Sequence, residues 1–272
     1  MLRAQQGPGS ASGRKVRENQ MVSMSKLVVM GLLAVLTAAV PIGVMSYLRR
    51  RGGRWRDFLV GAGTFFLFAM VLESLIHQVV LTGPLGSAIQ GNIWIFGLYS
   101  GLMAGLFEEV GRFTAFKLVL RRRREPVTAL SYGIGHGGCE AFLILGVTYI
   151  SNIVISLMMQ RGVQMSAEIT AGIQSLAALP VTLFLLAGFE RIVAMTLHTA
   201  LSVLVFAAVR DGRHGLFPLA VLLHALADFF AVVVIRQAGT LASEAVAAAF
   251  ALLAGLLAVR VYRNLRQNAE NT

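Results

Sequence analysis

The chain has 272 residues, 56% of them hydrophobic and only 14% charged, which excludes an ordinary soluble domain, where about a quarter of residues carry charge. Its net charge of +11 does not point to nucleic acid, because the basic residues sit in short clusters between apolar stretches and not along one polar face. The single cysteine, Cys139, excludes a disulfide framework and a cysteine-based structural zinc site.

Residues 1–25 are polar and Gly/Ser-rich with scattered charge, and read as a disordered tail. Apolar stretches then follow at 26–48, 57–82, 93–120, 127–159, 167–187, 189–209, 216–236 and 240–262, before a polar C-terminal tail at 263–272. A helix needs about 20 mostly apolar residues to cross the hydrocarbon core, so residues 26–262 are expected to form one all-α, polytopic transmembrane helix bundle. The arginine clusters at 49–56, 121–124, 210–213 and 260–266 act as topology signals that belong in the cytoplasm. Placing all of them on one side leaves the uncharged loop 83–92 and the N-terminus outside. It also requires an even number of crossings between Pro126 and Arg210. Three apolar stretches lie there. The simplest solution is a long tilted span at 127–159, a non-crossing segment at 167–187 containing Gln174 and Pro180, and a return span at 189–209. Seven crossings are therefore favoured over eight, in a protein of a prokaryotic cell membrane.

Ionisable groups at bilayer depth cost roughly 2.5 kcal/mol or more each and mark functional sites by default. This chain carries Glu73, His77, Glu108, Glu109, Arg112, His136, Glu140, Glu190, Arg191, His198, His224 and Asp228 within its apolar stretches. Residues four apart share a helix face, and four pairs have that spacing: Glu73 with His77, Glu108 with Arg112, His136 with Glu140, and His224 with Asp228. Counting about 1.5 Å per residue from the arginines puts Glu108, His136, His198 and His224 at roughly 14–20 Å from the inner boundary, in a single layer. Glu73 and His77 fall further out, where a structural or gating role is expected. Glu190-Arg191 reads as the anchor of a helix end.

A carboxylate flanked by histidines can take a proton from water, while His and Asp donors stabilise the oxyanion formed when water attacks an amide. The same groups can instead hold a divalent metal such as zinc, with His136, His198 and His224 as the ligands. Either chemistry requires water at mid-membrane, so a polar cavity is expected, opening on the cytoplasmic side. Gly135, Gly137 and Gly138 suit a close helix approach or a substrate backbone passing nearby.

The segments Phe107-Glu108-Glu109-Val110-Gly111-Arg112 and Gly135-His136-Gly137-Gly138-Cys139-Glu140, followed by His198 and by His224-Ala225-Leu226-Ala227-Asp228, resemble the YhfC family of intramembrane peptidases. That family looks like a branch of the CAAX-protease and bacteriocin-processing superfamily, and the resemblance covers about residues 26–262. It implies that Glu108 or Glu109 activates the water and that Arg112 orients the pair. It further implies that His136 and His224 polarise the substrate carbonyl or bind the nucleophile, and that Asp228 stands where the superfamily often has Asn. His198 is the additional histidine of this branch, and Glu140 joins the site through its pairing with His136. The superfamily commonly spaces these groups as Glu-Glu-x-x-x-Arg, whereas here only Val110 and Gly111 separate Glu109 from Arg112. Aligning on the first acid makes Glu108 the base, aligning on the arginine makes it Glu109, and Glu108 is favoured.

The leading expectation is an intramembrane endopeptidase acting on a peptide or membrane-protein substrate in contact with membrane lipid. A proton-coupled transporter using the same buried acids and histidines, and a non-catalytic scaffold, are the alternatives.

Overall fold

A computed structural model describes residues 21–270. Among these there are helices and no strands, and seven of the helices are long and apolar enough to cross a membrane, as the composition requires. They are α1 (Met24–Arg49), α2 (Trp55–Thr82), α4 (Ile93–Val119), α5 (Val127–Gln160), α7 (Val181–Arg210), α8 (Leu216–Ala238) and α9 (Thr240–Glu270). Two short helices, α3 (Gly86–Gly91) and α6 (Ala167–Ala178), fill the loops between spans. The tail expected at 1–25 lies outside the described residues up to residue 20, and its end, Met24 and Ser25, already belongs to α1.

Several boundaries differ from the apolar pattern for identifiable reasons. The return span begins at Val181, not at 189, because Pro180 holds Leu179 before it extended, which ends α6 there and lets a new helix start directly after the proline. The expected non-crossing segment therefore shrinks to α6, closed at its start by Ser166 Oγ, which accepts from the Ile169 amide at 3.3 Å. Glu190-Arg191 lies well inside α7 instead of at a helix end, because Arg191 finds internal partners. The stretch expected as a polar tail from 263 continues α9 as far as Glu270. Leu265 packs into the core there, and its carbonyl accepts from Arg210 Nη2 at 3.0 Å.

The arginine-rich ends come together. Arg123 pairs with Asp57 at 3.2 Å, Arg124 and Arg210 each donate to the other's carbonyl, and Asn268 Nδ2 donates to Asp211 at 3.3 Å. The starts of α2 and α8 and the ends of α4, α7 and α9 thus share one face of the bundle, with the loop 83–92 and α6 at the opposite end.

The central helix is α7, of whose apolar window 72% is buried, against 22–33% for the other spans. Its Leu201, Val203, Leu204, Val205, Phe206 and Ala207 pack with Phe116, Tyr132 and Ala254 in the main core. Side chains such as Leu32, Val35, Leu59, Val79 and Leu252 point outward, where lipid replaces a protein neighbour.

Small residues set the helix spacing. A Cβ on Gly135 lies 2.0 Å from the Phe58 carbonyl oxygen, and one on Gly61 lies 2.1 Å from that of Tyr132, so α2 and α5 cross backbone to backbone. Gly133 and Gly137 meet α7, and Gly101 meets α8 in the same manner. Gly138 packs on Pro41 of α1, so the glycine faces of α5 are filled by helices and leave no channel for a substrate backbone. Gly135→Ala is therefore expected to lower stability by about 1–3 kcal/mol or more, as overpacking does, measured as a fall in the thermal midpoint of the detergent-solubilised protein.

Candidate functional site

The close crossings bring the ionisable residues of α4, α5, α7 and α8 into one layer. On α4, consecutive Glu108 and Glu109 diverge by the 100° turn of the helix and take up different surroundings. Glu109 is fully buried. It pairs with fully buried Arg112 one turn on, and His224 Nδ1 donates to it at 2.8 Å. Glu108 turns instead into a small pocket, with Oε2 at 2.7 Å from His136 Nε2 and 3.6 Å from His198 Nδ1.

The histidine rings stand side by side, with centroids 4.9 Å apart for His136 and His198 and 5.1 Å apart for His198 and His224. Phe65 covers His136 edge-on at 5.3 Å. Arg112 Nη2 lies 3.2 Å from His198 Nδ1, and because a guanidinium only donates, that nitrogen is the acceptor and the ring proton belongs on Nε2. On that side Glu140 Oε2 approaches to 2.5 Å, a contact without hydrogen-bond alignment. Glu140 is in turn held by Arg191 at 2.8 Å, and Arg191 also pairs with Glu190. His224 Nε2 faces Asp228 Oδ2 at 3.5 Å.

All eight residues singled out from the sequence, namely Glu108, Glu109, Arg112, His136, Glu140, His198, His224 and Asp228, thus lie in one connected cluster. Arg191 belongs to it too, and no local signal could have revealed this, since its partner Glu140 is 51 positions away. Glu73 and His77 form a separate pair at 3.1 Å, extended by Tyr99 at 2.8 Å from His77 Nδ1, on the side of the layer away from the arginine clusters.

The pocket has a volume of about 140 Å³, room for a few waters at about 30 Å³ each. Beyond Glu108, Glu140, His198, His224 and Asp228 its walls run along Glu190, Ala231 and Ala247. It therefore extends away from the arginine-rich end, opposite to the direction expected from depth alone. The reason is packing: Phe116, Tyr132, Leu201 and Leu204 plug the bundle between the site and the arginines.

Glu108, His136 and His198 each offer a ligand atom, all within 4.8 Å of one another, and all three residues are buried. One carboxylate and two imidazoles are ordinary zinc donors. Among the described residues buried His136 Nδ1 has no hydrogen-bond partner, while Glu140 Oε2 has the Nε2 edge of His198 against it. The donor set fits a divalent cation. His224, expected as the third ligand, faces Asp228, and Glu108 takes its place in the converging set.

The sequence pattern of the YhfC intramembrane metalloprotease family matches residues 36–251. The chain belongs to this family. A YhfC relative in Bacillus subtilis (strain 168), described as "Uncharacterized membrane protein YhfC", is 34% identical over 254 residues, covering 89% of this chain and 96% of its own length. No solved structure matches. As a YhfC member with seven apolar helices, the chain is an integral membrane protein of an intramembrane peptidase family, acting among lipid on protein substrates. The YhfC family's description includes a metal, and the donor set of Glu108, His136 and His198 is consistent with it.

Proposed function

We propose that the chain hydrolyses peptide bonds of membrane-embedded substrates with a water activated by Glu108. The observation that carries this reading is the convergence of Glu108 with His136 and His198 beside a small polar pocket with room for a few waters. Glu108 Oε2 is engaged by His136, whereas Oε1 has no hydrogen-bond partner among the described residues and is the atom free to take a proton from a water. Glu109 serves a different purpose. Bound to Arg112 and to the Nδ1 proton of His224, it fixes the His224 ring so that Nε2 points toward Asp228 and the pocket. With a carboxylate at each ring nitrogen, His224 can carry a second proton on Nε2 and pass it to the departing amine or hold it toward the developing oxyanion, while Asp228 accepts and orients that proton.

A divalent cation is held in this reading by Glu108, His136 and His198, with Glu140 and Arg191 fixing the His198 ring from behind. When bound, it supplies Lewis-acid polarisation of the water and of the scissile carbonyl. Arg112, which donates to His198 Nδ1, is anchored independently by its pairing with Glu109 and would keep that pairing if His198 turned to a cation. In this reading the arginine-rich end faces the cytoplasm by the positive-inside rule, so the start of α1 faces the other side and water reaches the site from the outer half.

The test is cleavage of a transmembrane-peptide library by the purified chain, with Glu108→Gln beside it. Cleavage by the wild type that is lost in the variant supports the proposal. Ion flux into proteoliposomes that depends on Glu108, without any cleavage, overturns it in favour of transport.

A further inference from the structure

On the face of the bundle away from the site, α9 stands apart from α1 and α5 and leaves a cavity of about 650 Å³. One face of α9 lines it through Gly255, Ala258, Val259, Tyr262, Arg263 and Arg266, and Val40, Ile134, Ile192 and Met195 form the opposite wall. The wall is apolar even where its sequence is not. The hydroxyl of Thr196 donates to the Ile192 carbonyl at 2.8 Å and that of Thr199 to the Met195 carbonyl at 2.7 Å, so neither proton is available to an anionic ligand. Charge enters at one end only. Arg263 is exposed and has no ion-pair partner among the described residues, and Arg266 makes only an exposed contact of 3.5 Å with Glu270, of the kind that contributes little.

The dimensions decide what fits. Between Gly255 and Arg266 the groove runs about 16 Å, at about 1.5 Å per residue, so its volume leaves a cross-section of about 40 Å². The groove is open along its length to lipid, so extended hydrocarbon chains can lie in it with a charged headgroup at the arginine end. The two arginines and Tyr262 mark the headgroup end, on the same face of the bundle as the other arginine clusters, where the inner leaflet carries acidic lipid.

We propose that this groove is a binding site for an anionic phospholipid, its phosphate on Arg263 and Arg266 and its acyl chains along Val259, Ile134 and Ile192. The chain ends reach a second cavity of about 260 Å³ that shares Val40, Ile192 and Met195 with the groove and is also lined by Arg191. A bound lipid thereby packs beside the residue that holds Glu140.

Native mass spectrometry of the full chain, released from nanodiscs of equal parts phosphatidylglycerol and phosphatidylcholine, tests this directly. The wild type is expected to retain phosphatidylglycerol at least tenfold over phosphatidylcholine. Arg263→Gln with Arg266→Gln brings the ratio close to one, while Arg260→Gln, outside the groove, leaves it unchanged. Gly255→Leu fills open space, since no atom lies within 4 Å of its Cβ, and removes both lipids from a chain that still melts as the wild type does. Equal retention of the two lipids by the wild type overturns the proposal. So does a preference that survives the double arginine change, or retention untouched by Gly255→Leu.

Discussion

Glu108→Gln is expected to lower peptide cleavage by a factor on the order of 10²–10⁴, the usual contribution of a positioned general base. Glutamine keeps the volume and can still meet His136, so the bundle has no reason to rearrange. What is lost is the ability of the pocket-facing oxygen to accept a proton, together with a negative charge in the set of donors shared with His136 and His198. The loss belongs in kcat more than in KM, because an interaction made only in the transition state is removed. Steady-state kinetics on a cleavable transmembrane peptide, with a melting curve for each variant, checks this. Wild-type turnover in a folded Glu108→Gln variant contradicts the assignment.

The neighbouring substitution is expected to act mainly on stability. Arg112 is fully buried, and Glu109 is the carboxylate that neutralises it. Glu109→Gln keeps an acceptor for the His224 Nδ1 proton but leaves the guanidinium charge unpaired, with its Nε already lacking a partner. Breaking a buried pair from one side costs about 3–5 kcal/mol. A marked drop in the thermal midpoint of Glu109→Gln, beside an unchanged midpoint for Glu108→Gln, is the expected pattern. Equal midpoints for the two variants would show that Arg112 is neutralised by some other group.

Much of the architecture is legible in the sequence because the bilayer imposes it. Apolar length fixes the spans, and the arginine clusters fix which ends lie together. The layer of Glu108, His136, His198 and His224 follows from counting helical rise, since spans that share one slab convert residue number into depth. Helix phase is harder. The spacing of Glu108, Glu109 and Arg112 allows two alignments, and only tertiary packing decides that Arg112 turns to Glu109 while Glu108 meets His136 from a different helix.

Other features depend on contacts far apart in the chain. Arg191 resembles an anchor at a helix end until Glu140 is found beside it, and that pairing lets α7 start at Val181 with both charges inside. The direction of the pocket is not legible in the sequence for a related reason. Depth says how far the site lies from each boundary, but not that Phe116, Tyr132, Leu201 and Leu204 close the nearer route. The glycines of α5 carried the correct signal for close helix approach. Their faces are occupied by α1, α2 and α7, and the pocket lies on the other side, against α7, α8 and α9.

The most direct test of the central claim is the metal content of the purified chain, measured by elemental mass spectrometry after loading with zinc and washing, for the wild type, His136→Gln and His198→Gln. The expected result is one divalent ion per wild-type chain and none in either variant, with wild-type cleavage lost to a chelator and restored when zinc is returned. A wild type that cleaves at full rate after the chelator has stripped it, or variants that keep their metal, would contradict the site built from Glu108, His136 and His198.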